Sequence, residues 1–152
     1  MNDELQFVKL LLLLSRHEVE FIVCGGVAVG FCGFVRTTED LDILVSAHAD
    51  NVRRLAAALA EFGSGAGKDL TDADLPVMPD CVRVNEEDCP VDIFTLMDGM
   101  TYEDTVAESS RAEVPNVGPV RHLSRAQLIK VKSGSWREKD RIDVEALRHP
   151  AG

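Results

Sequence analysis

Two apolar stretches of this chain each carry an aspartate where the interior of a sheet should have none. Leu41-Asp42-Ile43-Leu44-Val45 and Val91-Asp92-Ile93-Phe94 read as buried strands, and Asp40 lies two residues before Asp42. An ionised carboxylate among Val, Ile and Phe is costly unless donors or a cation meet it. Side chains alternate faces along a strand, so Asp40 and Asp42 point one way while Leu41 and Ile43 point into the core. Two carboxylates at i and i+2 lie about 7 Å apart and can grip a hard cation between them. Asp92 supplies a third acid, and the three together predict a site for Mg²⁺ or Mn²⁺. Glu39 has the wrong parity and is a bystander at the strand entrance. The D-x-D pair taken alone also fits a plainer reading, with Asp40 and Asp42 capping turns and Asp92 on a solvated face. An EF-hand does not fit, because the loop glycine and the distal Glu are missing.

The remaining elements follow from periodicity. Asn2 or Asp3 can cap a first helix with Leu5, Val8 and Leu12 on its apolar stripe. Phe21 to Cys24 reads as a short buried strand ended by Gly25-Gly26, followed by a short buried helix within residues 27–34. Val52, Leu55, Leu59 and Phe62 fall on one face of a further helix that Gly63 stops. Residues 63–80 hold Gly, Asp and Pro and read as a mobile loop. Cys81–Val84 and Val91–Phe94 are two strands around an acidic turn, Glu86-Glu87-Asp88. A helix near Tyr102–Ser110, a short strand near Val120, a helix capped by Ser124 through Lys132 and a last helix over 138–148 complete the chain. In that last helix Ile142, Val144 or Glu145, and Leu147 are available to pack. The expected fold class is α/β (α+β): one domain over 1–152, with a mixed sheet flanked by helices.

Charge narrows the partners. Sixteen Lys and Arg stand against twenty-six Asp and Glu, a formal charge of −10. Such a chain repels phosphate backbones overall, which argues against non-specific DNA or RNA binding and leaves room only for a local basic patch. No apolar run approaches the roughly 20 residues of a membrane span, and no secretory signal pattern is visible. The expected compartment is therefore cytoplasmic, with Cys24, Cys32, Cys81 and Cys89 as reduced, mostly buried thiols. His17, His48, His122 and His149 are scattered and read as surface residues.

Gly25-Gly26 lies between a strand and a helix, where backbone amides can approach phosphate oxygens closely. The segment GGVAVG is neither a dinucleotide fingerprint nor a Walker A loop. Gly26 precedes Asp40 by fourteen residues, which lets one short helix bring phosphates to the metal.

The ordered set Gly25-Gly26, Arg36-Thr37-Thr38, Asp40-x-Asp42 and Val91-Asp92-Ile93 resembles the nucleotidyltransferase superfamily that includes DNA polymerase beta. Its small bacterial branch, with lincosamide-type antibiotic nucleotidyltransferases and abortive-infection toxin nucleotidyltransferases, is the most similar. The tail adds Leu123-Ser124, Leu128-Ile129, Lys132, Arg137, Lys139, Asp140 and Asp143, so the resemblance runs from about residue 20 to 148. It implies that Gly25 and Gly26 hold the triphosphate of an NTP such as ATP. It also implies that Asp40 and Asp42 bind the metals, and that Asp92 binds the second metal and activates an acceptor hydroxyl. Arg36 and Thr38 would support the phosphates or the strand end, and Lys132 would contact the nucleotide. Arg137, Lys139 and Asp140 would orient helices by ion pairs, and Trp136 would cover a helix end or stack on a base. Many members have Gly-Ser where this chain has Gly26, so that hydroxyl is absent. The implied activity is transfer of an NMP to a small molecule, a tRNA end or a protein, with release of pyrophosphate. The chain has no room for a separate acceptor domain, which leaves a groove, the 63–80 loop or another subunit. The alternative is a nucleotide- and metal-binding partner without turnover, in a toxin–antitoxin or regulatory complex. A homodimer or an antitoxin is the implied assembly.

Overall fold

The computed structural model describes residues 3–34, 38–71, 81–86, 89–135 and 137–149. Arg36, Trp136 and residues 72–80 of the 63–80 loop lie outside the described residues. The elements are α1 (Asp3–Arg16), β1 (Phe21–Cys24), α2 (Gly25–Phe31), β2 (Leu41–Val45), α3 (Ala49–Ala60), β3 (Cys81–Val84), β4 (Val91–Phe94), α4 (Tyr102–Thr105), β5 (Ser110–Val114), β6 (Gly118–His122), α5 (Arg125–Ser133) and α6 (Glu138–Arg148). One mixed sheet has the order β3-β4-β2-β1-β6-β5. Its parallel pairs are β1 with β6 and β2 with β4, and the other neighbours run antiparallel.

All four residues of β1 and four of the five in β2 are buried, so the centre of the sheet is covered on both faces. Only Asp42 breaks the pattern in β2. Helix α1 packs on α3, α2 packs on β1, β2 and α5, and α5 packs on α6. Ser124 and Gln127 form a reciprocal cap that fixes where α5 starts. No helix among the described residues is long and apolar enough to cross a membrane.

Three readings need correction. The buried stripe of α1 is Leu10, Leu11 and Leu14 with Phe7 and Val8 packed beside it, rotated away from Leu12. A run of five leucines satisfies several helical registers, so neighbours decide which face turns inward. The segment after Thr101 is one short helix and a 3₁₀ turn over Val106–Glu108, and Ser110–Val114 is a strand. Its burial alternates weakly because β5 is the outer neighbour of β6. His122 is buried at 4% exposure, its ring against Phe31, and burial lowers its pKa. Glu86, in the turn between β3 and β4, is buried and accepts from the backbone N–H groups of Ser64 (2.9 Å) and Ala66 (3.0 Å) and from the Ser64 hydroxyl. Burial alone would raise the Glu86 carboxyl, but these donors outweigh it and hold its pKa low. The result is a staple between the β3–β4 hairpin and the turn after α3.

Candidate active site

Sheet register places four side chains in one row. Asp42 lies opposite Asp92 on the parallel β2–β4 pair, Asp92 opposite Arg83 on β3–β4, and Cys24 opposite Asp42 on β1–β2. Directly paired residues share a face, so Arg83, Asp92, Asp42 and Cys24 line up across the strands. Asp40, at the mouth of β2, joins them from the same parity as Asp42. One oxygen from each of Asp40, Asp42 and Asp92 lies within 4.8 Å of the others. Sequence alternation anticipated this convergence, and the fifty-residue gap to Asp92 is closed by one parallel strand pair.

The three acids have unequal surroundings. Asp40 is the most exposed, Asp92 is only 13% exposed in its side chain, and the Arg83 guanidinium reaches both. Its Nη1 donates to Asp92 Oδ2 at 3.2 Å and to Asp92 Oδ1 and Asp40 Oδ2 at 3.3 Å. Oδ1 of Asp42, by contrast, is buried without a hydrogen-bond partner. Burial first, then the charges of Asp92 and Asp40, push the Asp42 carboxyl up to about 7. A carboxylate with a buried, donorless oxygen, beside two more carboxylates, fits a hard divalent cation by its donor chemistry. The neighbouring Cys24 thiol is raised by burial and then by Asp42, and stays neutral.

Gly25 explains how Asp42 is accommodated. It has φ +61°, and a Cβ added there would lie 2.1 Å from Asp42 Oδ2. Only glycine permits both that backbone and that approach. Its first observed task is thus to make room for the carboxylate.

Two adjoining hollows open beside this row. A polar one of 340 Å³ is bordered by Gly25, Gly26, Thr38, Asp40, Asp42, Lys132, Arg137 and Lys139. Glu39, exposed and outside the acid cluster, also stands on its rim. A second, of 240 Å³, shares Gly25, Asp42, Lys132 and Arg137 but is walled by Phe94, Leu96, Met97, Leu123, Leu128 and Val131. The Thr38 hydroxyl donates to the Asp40 carbonyl at 3.4 Å, steadying the strand mouth.

Lys132 borders both hollows, yet its ammonium is held by α6, 2.9 Å from Asp140 Oδ1 and 3.0 Å from Asp143 Oδ2. All three are buried. Burial would raise Asp140, but hydrogen bonds from Lys132 and from the Ser135 hydroxyl (2.8 Å) hold its carboxyl below the usual range. The ion pair assigned from sequence to Asp140 is therefore present, and its cation is the residue assigned to the nucleotide. Arg137 and Lys139 are exposed and face the polar hollow instead.

Arg83 is the site residue that the sequence pattern alone did not offer. Pairing Cys81–Val84 antiparallel with Val91–Phe94 would have found it, since symmetric pairing puts Arg83 against Asp92.

No known family description matches the sequence, and no curated protein matches it. A structural match is clear. The chain superposes on the crystal structure of the lincosamide antibiotic adenylyltransferase LnuA bound to lincomycin with a TM-score of 0.65. The match covers 97% of this chain and 98% of that one, at 18% identity. With six strands in one mixed sheet and helices around them, the chain has a nucleotidyltransferase-like fold.

Proposed function

We propose that this chain is a metal-dependent nucleotidyltransferase that moves an NMP from an NTP such as ATP to an acceptor hydroxyl and releases pyrophosphate. The observation that carries this reading is the convergence of the Asp40, Asp42 and Asp92 carboxylates, with an oxygen of Asp42 buried and donorless. Asp40, Asp42 and Asp92 would hold Mg²⁺ or Mn²⁺, which when bound supplies charge neutralisation at the phosphoryl oxygens and lowers the acceptor's pKa. The chain's own groups do the rest. The polar hollow takes the triphosphate, with Gly25 and Gly26 presenting backbone and Arg137 and Lys139 presenting charge. Thr38 steadies the Asp40 mouth. Asp92 accepts the acceptor's proton as its oxygen attacks the α-phosphorus and the bond to the bridging oxygen breaks.

The adjoining apolar hollow suits a small amphipathic acceptor. The net charge of −10 and the lincomycin bound in the structural neighbour support a small molecule over a tRNA end or a protein. One observation favours the other reading, a nucleotide- and metal-binding partner without turnover: Arg83 already offsets two of the acids.

Asp92→Asn separates the two readings. For an enzyme, pyrophosphate release in the presence of Mg²⁺, NTP and a small-molecule acceptor pool falls by about 10²–10⁴-fold, while NTP binding changes little. If wild type and variant both bind NTP and neither releases pyrophosphate with any acceptor, the transferase reading fails.

A further inference from the structure

The Arg83 contact deepens the proposed site and rests on that reading. Nη1 sits 3.2–3.3 Å from oxygens of both Asp40 and Asp92, and so occupies the space that a cation bridging those residues would need. Divalent cations of this kind bind oxygen at about 2.0–2.2 Å, so one shared by Asp40 and Asp92, whose oxygens lie within 4.8 Å of each other, needs the space beside both that Nη1 fills. A guanidinium there blocks that position and repels the arriving charge. Arg83 is also free to leave: its side chain is 44% exposed, and it projects from β3, the outermost strand beside β4.

We infer that Arg83 is a tethered counter-cation that occupies the acid cluster in the metal-free chain and must be displaced for the metal to bind. Three acids concentrated at the edge of a core repel one another, and a positive charge between two of them stabilises the empty site. The same charge makes the site a poor trap for free divalent cations. Metal delivered with a nucleotide triphosphate brings its own anionic ligands and leaves Arg83 a new partner in the phosphates or in bulk water. Arg83 is thus a positioning residue. It sets the metal affinity of the nucleotide-free chain and holds Asp40 and Asp92 apart from each other's charge.

The test is Mn²⁺ binding to the nucleotide-free chain by titration calorimetry, with the metal-free melting temperature recorded beside it. Arg83→Met keeps the length of the side chain and removes its charge. It is expected to bind Mn²⁺ at least fivefold more tightly than wild type and to melt several degrees lower without metal. Arg83→Lys keeps a charge and is expected to stay within about threefold of wild type. It also serves if the Met variant does not fold, because Arg83→Gln can then be compared with it. Equal or weaker Mn²⁺ binding by the uncharged variants overturns the counter-cation role and leaves the metal site intact. Absence of Mn²⁺ binding in every variant, with or without NTP, overturns the metal site itself and this role with it.

Discussion

At the scale of single residues, Asp42 is where the site stores its largest electrostatic cost. Its carboxyl titrates near 7 rather than at 3.8, because burial and two neighbouring carboxylates disfavour the charge. A pKa raised in the folded state means that stability is fully present below the ordinary carboxylate value. It is lost as the pH rises from about 4 through about 7. Asp42→Asn removes the charge at nearly constant shape. In chelator, the variant should equal wild type at pH 4 and exceed it at pH 8 by about 2–4 kcal/mol. Urea unfolding at the two pH values reads this directly, and equal midpoints at pH 8 would show that Asp42 carries no such cost. Metal binding follows the opposite course, since the ligand is the deprotonated carboxylate, so wild-type affinity should climb through the same interval. Gly25 belongs to this argument, because a side chain there would strike Oδ2 of the same carboxylate.

At the scale of elements, helix α6 turns a polar face inward. Asp140, Asp143 and Leu147 are buried while Ile142 is 50% exposed, the reverse of an ordinary amphipathic helix. Sequence periodicity offered Ile142 as a packing residue, and it failed because Lys132 on α5 attracts the two aspartates more strongly than the core attracts one isoleucine. Lys132→Met leaves both carboxylates buried without that ammonium and should cost about 3–5 kcal/mol in the absence of any ligand. Adding Asp140→Asn and Asp143→Asn should restore part of the loss. A Lys132→Met chain that melts like wild type would mean that the lysine serves the ligand alone. The same logic explains what was legible. The strands Phe21–Cys24, Leu41–Val45, Cys81–Val84 and Val91–Phe94 and helix Glu138–Arg148 were readable to the residue, because short apolar runs and Gly or Ser punctuation leave little choice. Strand β5, the partner of Arg83 and the burial of Glu86 were not: β5 is half-exposed and has no apolar run, Arg83 meets Asp92 only through the register of its hairpin, and the Glu86 donors lie 22 and 20 residues away.

At the scale of the whole molecule, charge is segregated. From Arg121 onward, eight Lys and Arg stand against four Asp and Glu, in a chain whose sum is −10. That cationic end includes α5 and α6, which carry Lys132 and Lys139 to the polar hollow opposite Asp40 and Asp42, with Arg137 between the two helices. Neither half of the site is complete for one ligand class. The acids want a cation that Arg83 already approximates, and the basic rim wants an anion that the acids repel. A nucleotide triphosphate carrying Mg²⁺ satisfies both at once, so binding of the two should be strongly coupled. The expected outcome is a small rise in melting temperature with millimolar Mg²⁺ alone or with NTP in chelator, and a large rise with both. At a hundredfold excess over Kd the linkage contributes about 2.7 kcal/mol. For a chain of this length that corresponds to about 5–10 °C. Asp40→Ala should remove most of the joint rise while leaving the ligand-free melting temperature nearly unchanged, because Asp40 is the most exposed of the three acids. No shift with both ligands at millimolar concentration would count against every reading of this site as a nucleotide and metal centre, since linkage acts whether or not turnover follows.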